Sequence, residues 1–404
     1  MRNVVGIKKP LFMFLFLISS ISFNLPAYSQ SEGVSPIVEA NTNIVPIAVR
    51  GSDDKFHIVY EIFLTPNTKT LTENLNLKQL DIVDKKSNKV IVSYDSKELA
   101  NLSRSVDKNG GMTKGALLPL DGQLVVLPFV TIAKQSHIPQ IILNRFTFEG
   151  ENHKIFLFEK DVPLDQKKIV AISSPIKGGG WIALNGPGIY SNHRFAILNV
   201  DGKYYIGQRY AIDWAQLDDK GSPIRHGADS KKNSSYYSYG NKVYSATDGT
   251  VVYVSNNLPD NTPGVVPSSV RTVGDAAGNA IGIDMSNGYF AYYCHLQKNS
   301  MQVKVGDKIR RGQFIGLLGN SGNSDGPHLH FHITNSFNKN NPVLGSEGVP
   351  YIIDVFSIQL KPDIVEKLGL EDSKPNDKIL FNPEKAGDKK KNEIPMANGV
   401  YRFE

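Results

Sequence analysis

The sequence predicts an all-β protein built from two successive β-rich regions. Short runs of apolar and β-branched residues recur along most of the chain, and Gly, Pro, Asn and Asp separate them. This pattern is typical of antiparallel strands joined by turns. The one plausible helix spans Ser96 to Leu102. A chain of 404 residues is long enough for two ordinary domains.

The first region runs from about Val34 to Leu164, and its strands follow at the intervals of a β-sandwich. The predicted strands are Phe56–Leu64, Leu80–Val83, Lys89–Tyr94, Leu124–Val130 and Ile155–Phe158. We therefore predict an immunoglobulin-like sandwich over residues 30–170. Its histidines, at positions 57, 137 and 153, are isolated from one another, so no catalytic site is predicted in this region.

A run of three glycines, Gly178 to Gly180, predicts a bend or linker before the second region. Strand-like segments resume after it, at 195–200, 203–206, 210–214, 242–246, 250–254, 279–285, 289–296 and 314–318. Turns such as Asp201-Gly202 separate them, as hairpins require. Two long polar loops, at 230–241 and 256–278, would line a groove. The charged stretch from Leu360 to Lys391 predicts a solvated tail, and residues 399–403 a closing strand.

Residues 1–29 have the layout of a cleaved secretory signal peptide. Three basic residues precede an apolar run from Leu11 to Phe23, and small residues occupy positions 27 and 29. The apolar run is too short to cross a bilayer comfortably, and no later stretch approaches the length of a membrane helix. We therefore expect an exported protein, periplasmic or secreted, with no transmembrane segment after cleavage.

Charge and cysteine content narrow the possible partners. Removal of residues 1–29 takes away three positive charges and leaves 42 Lys and Arg against 39 Asp and Glu. This balance does not favour nucleic acid as a partner. Cys294 is the only cysteine, so an internal disulfide is excluded and the core must hold the exported chain together. Its apolar surroundings predict a buried, inert thiol.

The strongest chemical signal is an alternating run of histidines, His328, His330 and His332. A Gly/Asn/Ser-rich turn that ends at Pro327 precedes them, and the intervening residues are Leu, Phe and Ile. Because residues two apart in a strand share a face, the three imidazoles would lie together on the solvent side. Imidazole is the commonest metal ligand and titrates near neutral pH. The run therefore predicts a metal or acid–base site.

A hydrolytic zinc needs three protein ligands and an open position for water. Two upstream pairs could complete a site with the histidine strand, His193 with Asp213 or His226 with Asp229. Asp213 interrupts an apolar strand, where a carboxylate needs a partner, and this favours the first pair. The compact spacing of the second pair leaves it as an alternative. His295 ends another apolar strand and becomes an acid–base candidate if that strand lies beside the histidines.

These residues resemble the lysostaphin/LytM-type zinc endopeptidases, peptidase family M23. The resemblance covers about Trp181 to Phe356 and is carried by an ordered series of motifs: Tyr293-Cys-His-Leu296, Val303-Lys-Val-Gly-Asp307, Gly312-Gln313 and Gly319-Asn-Ser-Gly-Asn-Ser324 leading to His328-Leu-His330. Two features depart from the family pattern. Twenty positions separate His193 from Asp213, where the family has a compact His-x-x-x-Asp, and Cys294 occupies the usual Ala position.

The resemblance implies an antiparallel-β M23 (LytM-like) peptidase domain over residues 171–357, followed by a tail over 358–404. It implies Zn²⁺ as the cofactor, with His193, Asp213 and His330 as ligands. His328 and His295 would be catalytic, and His332, outside the motif, would lie behind the site or at the surface. A hairpin through Asp201-Gly202 would bring the first two ligands together.

The resemblance also implies the substrate, peptide bonds in the cross-links or stems of bacterial peptidoglycan. Two alternatives stay open: a non-catalytic wall-binding or regulatory module, and an exported peptidase that acts on proteins. Members of the family that lost activity usually lack zinc ligands, and this chain keeps a residue for every position. The sequence therefore favours an enzyme.

Overall fold

The computed structural model describes residues 37–265, 273–368 and 378–404. The signal peptide predicted at residues 1–29 lies outside the described residues, as does part of the loop predicted at 256–278. The described chain is mostly β-strand, as predicted. Within it, no helix combines the length and the apolar character needed to cross a membrane.

The N-terminal part contains strands β1 to β13 and one α-helix, α1. Their bounds are β1 Val38–Asn41, β2 Val49–Arg50, β3 Phe56–Val59, β4 Ile62–Pro66, β5 Leu75–Asp84, β6 Lys89–Tyr94, α1 Ser96–Leu102, β7 Ser103–Val106, β8 Met112–Lys114, β9 Leu117–Leu118, β10 Gln123–Val126, β11 Phe129–Ile132, β12 Ile141–Glu149 and β13 Ile155–Pro163.

Two sheets of this part share one apolar core. One runs in the order β1-β4-β10-β7-β8 and the other in the order β13-β12-β5-β6, with β9 on β5. Two segments predicted as single strands are each divided, Phe56–Leu64 into β3 and β4, and Leu124–Val130 into β10 and β11. β3 and β11 pair in a third sheet, while β4 and β10 pair in the first. The immunoglobulin-like identity of this part stays a prediction.

Helix α1 has the bounds that the sequence predicts, Ser96–Leu102. Asp95 caps it, because its carboxylate accepts hydrogen bonds from the backbone N–H groups of Lys97 and Glu98. The side chain of Glu98 in turn accepts from the backbone N–H of Asp95. This reciprocal pair is a capping box, which a local sequence pattern specifies without help from distant residues.

The described residues of the C-terminal part contain strands β14 to β28 and three short α-helices. Their bounds are β14 Val170–Ile172, β15 Gly178–Leu184, α2 Asn192–Phe195, β16 Leu198–Val200, β17 Lys203–Tyr205, β18 Ile212–Gln216, β19 Lys242–Tyr244, β20 Gly249–Ser255, α3 Val273–Ala276, β21 Asn279–Asp284, β22 Phe290–Leu296, β23 Lys308–Ile309, β24 Phe314–Leu317, β25 Leu329–Thr334, β26 Tyr351–Leu360, α4 Pro362–Leu368, β27 Asp388–Glu393 and β28 Val400–Phe403.

Most described strands of this part form one large sheet in the order β14-β26-β28-β15-β18-β25-β22-β21-β20-β23, with β27 on β26, while β16 pairs with β17 and β19 with β24 in two small sheets. A core of aromatic and aliphatic side chains packs against it. Val49, Val59 and Phe129 from the N-terminal part join this core, and the described residues, from 37 to 404, belong to one compact unit. The division into two domains near residue 170 stays a prediction.

The glycine run is not a linker, which corrects the prediction for Gly178 to Gly180. These residues begin strand β15. A Cβ on Gly179 would lie 1.9 Å from the carbonyl oxygen of Pro383, and Gly180 has a φ of +78°. Glycine is needed because neighbouring backbone approaches Gly179 too closely for a side chain and because Gly178, with a φ of +88°, and Gly180 are both left-handed.

The charged C-terminal stretch is not wholly a solvated tail, which corrects another prediction. Residues 388–393 form β27 and pair with β26 along the sheet. The predicted closing strand is confirmed as β28, which lies between β26 and β15. The C-terminal end therefore completes the sheet that carries the candidate site.

Candidate metal centre

Strand pairing places Asp213 and His330 side by side. Asp213 on β18 is the direct partner of His330 on β25 in an antiparallel ladder. Directly opposite residues on such a ladder point to the same face, so their side chains meet. His330 Nδ1 lies 2.8 Å from Asp213 Oδ1.

His193 reaches the same place from helix α2, not from a strand. The sequence predicts a strand from Phe195, but α2 ends at that residue and β16 begins at Leu198. The predicted hairpin through Asp201-Gly202 is present as β16 and β17. His193 Nε2 lies 3.2 Å from Asp213 Oδ2. The 20 positions between His193 and Asp213 are thus spanned by a helical end and a hairpin.

Backbone carbonyls orient the imidazole of His193. Its Nδ1 lies 2.9 Å from the oxygen of Asn185 and 3.3 Å from that of Ala211. A carbonyl only accepts, so Nδ1 carries the proton, and Nε2 of the neutral ring keeps a lone pair. That lone pair faces a carboxylate oxygen of Asp213. Two acceptors at this distance repel each other unless a cation lies between them.

Asn185 also contacts Asp213, and the sequence analysis missed it. Its side-chain amide donates to Asp213 Oδ2 at 2.9 Å. It follows β15, whose last residue, Leu184, pairs with Asp213. The Asn185-Gly186-Pro187 turn was the available signal, but its place beside Asp213 depends on strand pairing.

The three side chains form a buried donor set of two imidazoles and one carboxylate. One ligand atom from each of His193, Asp213 and His330 lies within 4.8 Å of the others. Among the residues that the structure describes, this is the only such group of three His, Cys, Asp or Glu side chains. Nitrogen and carboxylate oxygen are zinc donors, and three of them leave one position open. The residues present therefore fit zinc.

Electrostatics keep the carboxylate charged. Burial alone would raise the pKa of Asp213, but the charges of His193 and His328 and their hydrogen bonds hold it well below its usual range. Burial lowers the pKa of His330 to about 3, which keeps this imidazole neutral. A charged Asp213 carboxylate beside a neutral His330 imidazole is the state in which these two groups can bind a cation.

His295 and His328 lie beside this group, and each is held by a hydrogen bond from its Nδ1 to a backbone carbonyl. His295 Nδ1 donates to the carbonyl of Ser321 at 2.7 Å, and His328 Nδ1 to that of Gly326 at 2.8 Å. Each neutral ring therefore has its lone pair on Nε2. The two ring centroids are 4.7 Å apart, and His328 Nε2 lies 3.5 Å from Asp213 Oδ1.

The backbone at His295 is unusual, and its pKa differs in direction from that of His328. His295 has a φ of 61°, a left-handed conformation that is costly for a non-glycine residue and is often found at functional sites. Burial, with smaller contributions from His328 and His330, holds the pKa of His295 well below its usual value. Burial alone would lower the pKa of His328, but the charge and hydrogen bond of Asp213 raise it.

All five predicted site residues line one cavity of about 360 Å³. Asn185, Gln208 and Asp325 add polar groups to its wall. The predicted loop 256–278 contributes Ala276 and Ala277, whereas no residue of the loop 230–241 lines this cavity. The groove is therefore formed by only one of the two long loops expected to line it.

Two predictions concern residues next to the site, Cys294 and His332. Cys294 is buried and free, as predicted. His332 is fully buried and does not line the cavity, so the predicted solvent-facing position of this histidine is wrong. The segment that contains Val343 covers it, and His332 Nε2 donates to that residue's carbonyl.

The alternative pair, His226 and Asp229, is exposed and lies outside the group of three. Asp229 Oδ1 accepts a hydrogen bond from the backbone N–H of Lys231 within its own loop. Neither residue lines the cavity that contains His295 and His328. The geometry thus favours His193 with Asp213.

Comparison with protein families identifies part of the chain. Residues 235–343 match the model of peptidase family M23. This segment, about a quarter of the chain, is therefore similar to family M23. The M23 match includes His295, His328 and His330, whereas His193 and Asp213 precede it.

Relatives that resemble this chain include two endopeptidases and a metalloprotease. This chain is 33% identical over 155 residues to the peptidoglycan DD-endopeptidase ShyA of Vibrio cholerae, covering 34% of this chain and 31% of that one. It is 45% identical over 78 residues to the glycyl-glycine endopeptidase ALE-1 of Staphylococcus capitis, covering 18% and 21%. It is 31% identical over 208 residues to an uncharacterized metalloprotease of Buchnera aphidicola, covering 50% and 46%. The chain spans less than half the length of each of these relatives.

Proposed function

We propose that this protein is an exported zinc endopeptidase that hydrolyses peptide bonds in bacterial peptidoglycan. The observation that carries the proposal is one cavity that combines a buried His–Asp–His donor set with two imidazoles. His193, Asp213 and His330 are the proposed ligands, and His295 and His328 the proposed catalytic residues. The proposed peptidase domain spans residues 171–357.

Zinc bound to these ligands would polarise the scissile carbonyl and lower the pKa of a bound water to about 7. His295 Nε2, with its lone pair directed into the cavity, removes the proton from the attacking water. His328 donates a hydrogen bond to the developing oxyanion, and one of the two imidazoles returns a proton to the leaving amine. No covalent intermediate with the enzyme is needed.

The geometry supports this division of roles between the two imidazoles. Burial favours the neutral form of His295, which a base requires, whereas Asp213 favours the charged form of His328. Both rings are held by backbone carbonyls through Nδ1. Their orientation therefore does not change when a proton moves at Nε2.

The proposed substrate rests on the relatives. ShyA is named a peptidoglycan DD-endopeptidase and ALE-1 a glycyl-glycine endopeptidase. Both names describe cleavage of peptide bonds, and the first places the bond in peptidoglycan. Export to the periplasm or the exterior would bring this chain to that substrate.

The first test is bound zinc per purified chain in the wild type, Asp213→Ala and Asp229→Ala. We expect one zinc in the wild type and in Asp229→Ala, and none in Asp213→Ala. Loss of zinc only in Asp229→Ala would move the site to His226 and Asp229. A wild type that takes up no zinc after supplementation would favour a non-catalytic module.

The second test is digestion of purified peptidoglycan beside a glycine-rich protein substrate. We expect soluble muropeptides and new free amines from peptidoglycan, with His295→Asn as the inactive control. Cleavage of the protein alone would show that the substrate class is wrong, and cleavage of neither would contradict the proposed activity.

A further inference from the structure

His332 lies directly behind the proposed ligand His330. It is two residues further along β25 and is fully buried. Its ring stacks on Tyr292, with ring centroids 5.1 Å apart and an interplanar angle of 23°. His332 Nδ1 lies 3.0 Å from His330 Nε2, and His332 Nε2 lies 2.9 Å from the carbonyl oxygen of Val343. Both ring nitrogens therefore have polar partners.

The carbonyl of Val343 determines where the protons lie in this chain of hydrogen bonds. A carbonyl only accepts, so His332 Nε2 carries a proton. In the neutral ring, Nδ1 of His332 is then an acceptor. His330 Nε2 must donate to it, which leaves the lone pair of His330 on Nδ1, the atom that faces Asp213.

With a cation between His330 Nδ1 and the Asp213 carboxylate, the opposite order of protons is disfavoured. If His330 carried its proton on Nδ1, its Nε2 would accept from His332 Nδ1. A neutral His332 would then direct the lone pair of Nε2 at the oxygen of Val343. His332 is fully buried, so water cannot relieve two acceptors that face each other.

We propose that His332 is a positioning residue that holds His330 in the tautomer with the proton on Nε2, so that Nδ1 is free to bind zinc. The inference rests on the proposed function for the role of His330 as a ligand. Partners of metal-bound histidines commonly determine both ring orientation and tautomer. Here that partner is a second imidazole, which a backbone carbonyl orients in turn.

The chain of hydrogen bonds from Val343 through His332 to His330, called the relay below, also connects the proposed ligand His330 to the wall of the cavity. Leu344, next to Val343, lines the cavity together with His330. The backbone N–H of Leu344 donates to the side chain of Asn341, which holds this turn. His332 therefore joins the ligand strand to a segment of the cavity wall through one hydrogen bond at each end.

The test compares three variants of the full chain. His332→Phe keeps an aromatic ring but removes both hydrogen bonds. His332→Gln keeps an amide that can accept from His330 and donate to Val343. Thr334→Val is the matched control, because Thr334 is buried on the same strand two residues further on and its hydroxyl donates to the carbonyl of Ser336.

Zinc affinity, measured by competition with a chromophoric chelator, is the first readout. We expect His332→Phe to weaken zinc binding by about 10- to 100-fold. His332→Gln should restore affinity to within about tenfold of the wild type, and Thr334→Val should leave it unchanged. Thermal unfolding of the metal-free variants checks that each one folds. Wild-type affinity in a folded His332→Phe would overturn the proposal.

The second readout needs no variant. Histidine ring nitrogens in the ¹⁵N-labelled wild type report which nitrogen carries the proton. We expect His332 to carry it on Nε2 in metal-free and zinc-loaded protein, and His330 to carry it on Nε2 when zinc is bound. A proton on Nδ1 of His332 would overturn the relay.

The outcomes separate this inference from the proposed function. Zinc binding that depends on His332, without peptidoglycan cleavage, would sustain the relay and contradict the proposed activity. Peptidoglycan cleavage by the wild type, together with unchanged zinc affinity in a folded His332→Phe variant, would sustain the proposed activity and contradict the relay. A wild type that binds no zinc would overturn both.

Discussion

Backbone carbonyls decide which nitrogen each imidazole presents to the cavity. His193, His295 and His328 all donate from Nδ1 to a carbonyl and present Nε2 to the site. His330 is the exception, because its Nε2 is engaged by His332 and its Nδ1 faces Asp213. These partners are main-chain or buried groups, so the rings are oriented before any metal or substrate binds. Such preorganisation lowers the cost of assembling a site.

Asn185 provides a prediction at this scale. Asn185→Gly removes the amide that donates to Asp213 but keeps the carbonyl that orients His193. Glycine also tolerates the φ of 50° at this position. We expect zinc affinity to fall about tenfold, because one carboxylate oxygen loses its donor. Chelator competition measures the change.

The control for this substitution is Asn88→Gly. Asn88 is an exposed asparagine with a φ of 54° in a turn of the N-terminal part. The Asn88→Gly variant should retain the zinc affinity of the wild type. Equal affinities of the two variants would show that the amide of Asn185 is not needed.

His295→Asn tests catalysis separately from metal binding. Asparagine tolerates a left-handed backbone and can still donate to the carbonyl of Ser321, but it lacks Nε2. We expect one zinc per chain and a fall in kcat of about 10²- to 10⁴-fold. Zinc content and peptidoglycan digestion are measured on the same preparation. A variant that retains more than a tenth of the wild-type kcat would exclude His295 as the base.

At the scale of elements, the helix that carries His193 is too short to stand alone. Helix α2 has four residues, and no side-chain hydrogen bond caps its N-terminus. Arg194, which follows His193 in this helix, is fully buried. It donates hydrogen bonds to the carbonyls of Leu127 and Pro128, which lie between β10 and β11, at 2.8 and 2.9 Å. A third hydrogen bond goes to Ile189. The N-terminal part therefore holds the helix that positions a proposed ligand.

Arg194→Ala should accordingly affect both folding and metal binding. It leaves a cavity and three carbonyls without their donor, so we expect the free energy of unfolding to fall by about 3 kcal/mol or more. Urea unfolding of the metal-free protein measures this, and chelator competition should show weaker zinc binding. Arg145→Ala, which removes a surface ion pair with Glu159, should cost about 1 kcal/mol or less. Similar losses in the two variants would contradict the role of Arg194.

At the scale of the whole molecule, buried charges and hydroxyls join the N-terminal part to the site-bearing sheet. Arg209 is fully buried between Glu61 and Glu347, with nitrogen–oxygen distances of 2.7 and 2.6 Å. Tyr210, next in the chain, points its hydroxyl at the carbonyl of Val59. Glu61 and Val59 belong to the N-terminal part and precede β18 by about 150 residues. Contacts this distant in sequence form only when both parts are folded.

Buried tyrosines predict loss of stability at alkaline pH. Burial raises the pKa of Tyr293 to about 12 and holds that of Tyr60 well above 10. In the unfolded chain these hydroxyls lose their protons near pH 10. Their contribution to the free energy of unfolding is therefore complete below pH 10 and declines as the pH rises above it. Each should lower the free energy of unfolding by about 1.4 kcal/mol per pH unit above 10, up to its folded pKa.

Urea unfolding at pH 9, 10 and 11 tests this dependence. Tyr60→Phe removes one ionisation and should make the decline less steep. The same substitution also removes a hydrogen bond to Asn144, so the slope with pH is compared rather than the absolute stability. An unfolding free energy that stays constant from pH 9 to pH 11 would contradict the prediction.

The sequence by itself determined the local structure and the chemistry of the site. Helix α1 and strand β6 have the predicted bounds, because a capping box and a short β-branched run act within a few residues. The alternation from His328 onward predicted a strand, and β25 begins at the next residue. Which residue types bind zinc or move protons follows from their side chains alone. The proposed site residues were therefore within reach of the sequence.

Only the tertiary structure decided which elements meet. The spacing of His193 and Asp213 left His226 and Asp229 as an alternative, and the pairing of β18 with β25 placed Asp213 beside His330. The glycine run became a strand, and His332 became buried, because backbone and side chains distant in sequence cover them. Strand pairing and burial are set by the free energy of the whole core, and no local pattern contains that information.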